Sequence, residues 1–204
     1  MNYNDTKIGK QTFIRELESV QPGICYANRR PQQTIRESIN LGDVILPYVK
    51  FDHPEFQRVL DWFNAKTITE TKGAIEDLTA TIDNFTYVFG TGGIHGSVES
   101  QVVKSDDEYV IIDVDVASYY PNMAIVNGLY PEHLSTTFCD IYKSMYERRK
   151  QYNKGTPENA VYKLALNGTY GDSNNKYSPF YDAQFTMAIT VNGQLSLCML
   201  AEQC

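Results

Sequence analysis

With 204 residues, 42% of them hydrophobic and 21% charged, the chain has material for one large or two small packed domains, which argues against wholesale disorder. A formal charge of −7 speaks against an autonomous, tightly binding DNA domain, while fifteen tyrosines suit clefts and nucleic-acid surfaces. Four cysteines without C-x-x-C spacing indicate neither a zinc site nor a disulfide framework and fit a reducing, cytoplasmic setting; nothing in the sequence signals a leader peptide or membrane anchor.

In chain order, residues 6–20 are predicted as an amphipathic helix with Ile8, Phe13, Ile14, Leu17 and Val20 near one side. Asp5 stands where an N-cap is expected. Residues 25–42 are polar and are expected as an exposed connection. Val44 to Val49 is expected as a strand, and Pro54 to Ala65 as a short helix with Phe56, Val59, Leu60 and Phe63 inward. Lys66 to Thr81, rich in threonine and charge, is expected as a loop or a loosely held helix. Phe85 to Phe89 is expected as a strand running into the glycines Gly90, Gly92, Gly93 and Gly96. That cluster fails as a nucleotide loop, because the G-x-G-x-x-G frame ends on His95 and no Gly-Lys-Ser/Thr follows. A tight turn needing positive φ is the plainer reading. His95 and His133 have no metal-ligating neighbours in sequence and are expected to be structural.

The β-branched run Tyr109-Val-Ile-Ile-Asp113-Val-Asp115 is expected as a buried strand, with both carboxylates on one face. Ser118, Tyr119, Tyr120 and a helix-starting Pro121 follow. Two readings stay open here: ordinary acidic punctuation of a strand end, or a place that holds a divalent cation beside an anionic ligand. Helices are then expected over residues 120–126 and 135–152. The second has Phe138, Ile141, Tyr142, Met145 and Tyr146 on one stripe and Arg148, Arg149 and Lys150 at its end. Those cations read equally as a favourable helix C-terminus or as a functional cluster. Gly155-Thr156-Pro157 turns the chain into a helix where Lys163, Asn167 and Tyr170 fall at i, i+4 and i+7, with Gly171 as its expected end. A cation, an amide and a ring in one row suit phosphate and base, or form a solvated face. Residues 174–182 read as a turn-rich connector and 183 onward as a last helix.

Two motifs in this order resemble the family B (alpha-like) DNA polymerases. Asp115, Ser118, Tyr119, Tyr120 and Pro121 match D-x-x-S-[LY]-Y-P. Lys163, Asn167, Gly168, Tyr170 and Gly171 match K-x-x-x-N-[SG]-x-Y-G. Thr190, Gly193 and Gln194 are similar to the family's T-x-x-G-[RQ], and Gly92-Gly93 to its Y-x-G-G element, with Gly90 in place of the tyrosine. Asp5 would match the family's last exonuclease aspartate, although its partner tyrosine falls on Met1. The resemblance covers residues 83–204 well and the first eighty loosely.

It implies an α+β fold: a pre-palm segment (1–82), palm strands with the first catalytic motif (83–133), a helical-hairpin fingers element (134–172) and a return to the palm (173–204). It implies transfer of a deoxynucleotide from dNTP to a primer 3′-hydroxyl with two Mg²⁺ ions. Asp115 and the Val116 carbonyl would hold metal. Ser118, Tyr119, Tyr120, Arg148, Arg149, Lys163 and Asn167 would contact the nucleotide, and Tyr170, Gly171, Gly92 and Gly93 the DNA. Primer-template DNA and the remaining polymerase parts (exonuclease, distal palm, thumb) would be the partners, in a host cytoplasm if the gene is of phage type. The family's second metal aspartate, in a Y-x-D-T-D hairpin, has no counterpart, so the chain alone is expected not to extend primers. A non-catalytic nucleotide- or DNA-binding remnant is the alternative. A reverse-transcriptase-like palm shares the first motif's spacing but not the second motif.

Overall fold

The computed structural model describes residues 5–98 and 100–204, except the Asp5 side chain. The expectations placed on Met1 and the Asp5 carboxylate lie outside the described residues. The class is α+β: six α-helices and three small antiparallel sheets among the described residues.

Helix α1 (Asp5–Val20) buries Phe13, Ile14 and Leu17, while Ile8 and Val20 stay exposed. It lies against a later helix so closely that a Cβ on Gly9 would come 2.7 Å from the Ala165 nitrogen. The polar segment that follows carries β1 (Tyr26–Ala27), β2 (Arg30–Pro31) and β3 (Ile39–Asn40). Glu18 gathers it, accepting hydrogen bonds from the amides of Gly23, Cys25 and Tyr26. The strand expected over Val44–Val49 does not form. A 3-10 turn over Leu41–Val44 and irregular chain stand there, because the Asn192 side chain takes both ladder partners. Its Oδ1 accepts from Leu46 N at 2.8 Å and its Nδ2 donates to Val44 O at 2.7 Å.

Helix α2 (Pro54–Ala65) matches its expected bounds, with His53 as N-cap and Phe56, Val59, Leu60 and Phe63 buried. The stretch expected as a loop or loose helix instead holds β4 (Thr67–Ile68), paired with β3, and the start of β5 (Thr79–Ile82). Buried Ile68, Ile75, Leu78 and Ala80 fix it to the core. β5, β6 (Phe85–Gly90) and β7 (Gly93–Gly96) form an antiparallel meander. Asp83 and Asn84 both take positive φ in its first two-residue turn, the geometry such hairpins prefer. The second turn, Thr91–Gly92, falls in the glycine cluster as expected, but the positive φ (+149°) belongs to Gly93, the first residue of β7, and not to the turn residues.

The central expectation fails. Residues 101–116 form no strand, and Tyr109, Val110, Ile111, Ile112 and Val114 are 58–75% exposed. Apolar β-branched residues favour a strand only where a neighbouring strand takes their amides and carbonyls. β7 pairs with β6 alone, and no ladder reaches residues 109–115. Asp106 makes a local turn instead, its carboxylate accepting from Glu108 N and Tyr109 N.

The rest is helical: α3 (Tyr119–Asn127), α4 (Thr137–Lys150), α5 (Pro157–Asp172) and α6 (Ala183–Gln203). Helix α5 continues one residue past Gly171 and ends at Ser173, so the glycine is not its stop. α4 and α5 form an antiparallel hairpin: Tyr142 donates to Leu166 O, and the Tyr152 and Tyr162 rings stack nearer the turn. Helix α6 runs between two cores. Met187, Val191 and Leu195 pack with α2 and the meander, while Phe185 and Ile189 pack with α1, α3, α4 and α5.

Candidate functional site

One cleft of about 830 Å³ opens between the turn preceding α3 and the α4–α5 hairpin. Its lining includes Asp115, Val116, Ser118, Tyr119, Tyr120, Arg149, Lys163 and Asn167. Ser118 sits at the N-cap of α3 in the left-handed region, φ +49°, and its side chain does not cap its own helix. Its Oγ accepts instead from Arg149 Nη1 at 2.8 Å, tying the turn to the hairpin. Asn122 steadies the turn by donating to Ala117 O at 2.8 Å.

The two tyrosines diverge. Tyr119 points at α6 and donates to Gly193 O at 2.5 Å; burial pushes its phenol up to about 12, so it stays neutral. Tyr120 stacks on Tyr170 with ring centroids 4.3 Å apart and planes 22° apart. Tyr170 in turn bonds Thr190 through its hydroxyl at 2.7 Å, and burial raises its pKa too. A tyrosine pair held from behind in this way presents a stiff aromatic wall.

Across the cleft, Lys163 and Asn167 are exposed one helical turn apart on α5, as the i, i+4 spacing predicts. Lys154, from the hairpin turn, joins them. Among the described residues none of Arg149, Lys154 and Lys163 is paired with a carboxylate. Three cations without carboxylate partners, the Asn167 amide and the Ser118 hydroxyl, with one acid opposite, suit a polyanion with an aromatic or sugar group.

Several expected site residues lie elsewhere. Arg148 turns to α1 and binds Glu16 at 2.7 Å, so only Arg149 of that pair reaches the cleft. Asp113 is exposed and outside the lining, and Gly171 is exposed with open space around it. Gly92 and Gly93 line a separate pocket of about 150 Å³ behind Tyr119 and Tyr120, with Thr190 and Gln194. Gln194 holds that side together, its Oε1 accepting from Gly90 N at 3.1 Å. His133 is bonded to Thr34 and the Pro179 carbonyl.

Sequence reasoning missed Lys154 and Asn159. The signal for Asn159 was its place three residues after the capping Thr156, where a polar side chain can reach backwards.

The resemblance implies Mg²⁺, and the donor set decides how far the residues fit it. Asp115 and the Val116 carbonyl are hard oxygen donors at the cleft mouth. No group of three or more His, Cys, Asp or Glu able to cage a metal exists among the described residues. They fit an ion that arrives on phosphate, not one bound by protein alone. No helix among the described residues is long and apolar enough to cross a membrane. No protein-family model, curated protein or solved structure matches this chain.

Proposed function

We propose that the chain is a palm-and-fingers portion of a template-directed DNA polymerase of the family B type, and that its cleft binds a deoxynucleoside triphosphate. The observation that carries this is convergence: Ser118, Tyr120, Lys163 and Asn167, from separate stretches of sequence, line one cleft with Arg149. In this reading Lys163 and Arg149 take the triphosphate charge, with Asn167 and Ser118 donating to its oxygens. Tyr120, fixed by its stack on Tyr170, packs under the sugar and crowds a ribose 2′-hydroxyl. Asp115 and Val116 would hold Mg²⁺ brought by the phosphates, which neutralises their charge and favours attack at the α-phosphorus. Primer-template DNA would pass Gly92, Gly93 and Tyr170.

One observation favours a second reading, a module that binds nucleotide without chemistry: Asp115 lies on a segment with no neighbouring strand and no second acid beside it in the cleft lining. Titration of wild type and Lys163→Ala with Mg·dATP and with deoxyadenosine tests the site. Loss of dATP affinity with deoxyadenosine binding unchanged supports the phosphate role; equal losses overturn it. Both readings expect no primer extension by the pure chain, and robust Mg²⁺-dependent extension would exclude the binding module.

A further inference from the structure

Asn159 is 8% exposed, at the start of α5, and makes more contacts than a capping residue needs. Its Nδ2 donates to Arg149 O at 3.3 Å and to Tyr152 O at 2.9 Å, two carbonyls at the end of α4. Arg149 O also accepts from Tyr152 N at 3.1 Å, so the one amide adds a second donor there and serves Tyr152 O just past the helix end. Its Oδ1 accepts from Arg149 Nε at 3.5 Å, and its own backbone N–H donates to Thr156 Oγ1 at 3.3 Å. One side chain thus joins the end of α4, the start of α5 and the guanidinium of the arginine that reaches Ser118.

The neighbouring arginine shows what this arrangement decides. Arg148 and Arg149 are adjacent and chemically alike, yet one is drawn to Glu16 on α1 and the other into the cleft. Guanidinium groups on long side chains have many rotamers, and holding one over a site costs entropy at each encounter. An acceptor at Nε leaves the two terminal nitrogens to be directed at other partners. Nη1 already meets Ser118 Oγ at 2.8 Å.

We infer that Asn159 is a positioning residue: it holds Arg149 over the cleft so that the guanidinium meets an anionic ligand already aimed. The inference rests on the proposed reading of the cleft for its ligand, but the arginine's restraint is measurable without one.

The test uses the full chain and two readouts. Phenylglyoxal modification, read arginine by arginine by mass spectrometry, is expected to be slow at Arg149 in wild type. Asn159→Ala should accelerate it severalfold while leaving Arg148 unchanged. Asn159→Asp keeps the acceptor for Nε and should preserve the protection even if the alanine variant folds poorly. Unchanged Arg149 labelling in Asn159→Ala, or loss of protection in Asn159→Asp, overturns the inference. Mg·dATP affinity should fall about tenfold in Asn159→Ala, the weight of one charge-assisted contact. In an Arg149→Ala background the same substitution should cost nothing further, whereas a merely structural role gives the same loss in both. If labelling responds as expected but dATP binds no better than deoxyadenosine, the triphosphate reading fails and the positioning role stands.

Discussion

The two walls of the cleft are built on opposite principles. The α4–α5 wall satisfies its own backbone, because every helical turn supplies its own hydrogen-bond partners. It then gains packing: Phe138, Tyr142 and Met145 on one helix and Ala165 and Leu166 on the other are buried. The acidic wall begins with Asp115 and Val116, at the end of a β-branched run (109–116) that has no adjacent strand and whose apolar side chains face water. Periodicity specifies a helix locally. A strand is specified only together with the neighbours that complete its ladder.

The largest expected effect probes the helical wall. Phe138→Ala, at a fully buried ring touching Phe13, Tyr142 and Phe185, should cost about 3–5 kcal/mol in chemical denaturation. A loss under 1 kcal/mol would mean this wall is no better packed than its partner. On the acidic wall, Asp115→Asn should reduce the strengthening of dATP binding by Mg²⁺ on the order of tenfold, the weight of a charged contact. It should leave metal-free binding no weaker; equal loss with and without Mg²⁺ would place Asp115 outside any metal role.

Tyr142→Phe removes the hydroxyl that donates to Leu166 O at 2.6 Å and should cost about 1 kcal/mol. A smaller effect concerns His133, beneath the helical core. Its Nε2 faces the Pro179 carbonyl, so it carries the proton there, and Nδ1 accepts from Thr34. Burial lowers its pKa from 6.5, against the pull of Asp182 and Glu132, while Arg36 is itself paired with both acids. Below pH 6.5 the unfolded chain therefore binds more protons, and His133's share of stability, complete above 6.5, is lost as pH falls through the lowered value. Melting from pH 7.5 down to 5.5 should show a shallower decline in His133→Gln than in wild type. The smallest change is expected at Ile112→Ala, within about 0.5 kcal/mol, because the residue is 74% exposed. A cost above 1 kcal/mol there would show residues 109–116 to be packed in solution.

The helices were legible in the sequence because their evidence lies within themselves. Pro54 and the capped apolar stripe gave α2 to the residue, and the 138–146 stripe gave α4. The row Lys163, Asn167, Tyr170 was read with its direction, and two of the three reach the cleft while the third stacks beneath it. What stayed hidden depends on distant partners. Val44–Val49 reads as a strand until Asn192 takes its backbone groups from nearly 150 residues away. Arg148 and Arg149 are equivalent until Glu16 claims one of them.

The polar residues of α6 have a consequence for how this chain can tolerate change. Asn192 holds the 44–46 turn, Gln194 holds the end of β6, Thr190 holds Tyr170, and the Gly193 carbonyl receives Tyr119. These four ties leave one helix within five consecutive residues, each on its own bearing around the axis. A single residue inserted before Thr190 would swing all of them by about 100° at once and unhook the turn, the meander and both tyrosines together. The same insertion among residues 101–108 would meet no ladder and no core, and lengthening is expected to be absorbed there.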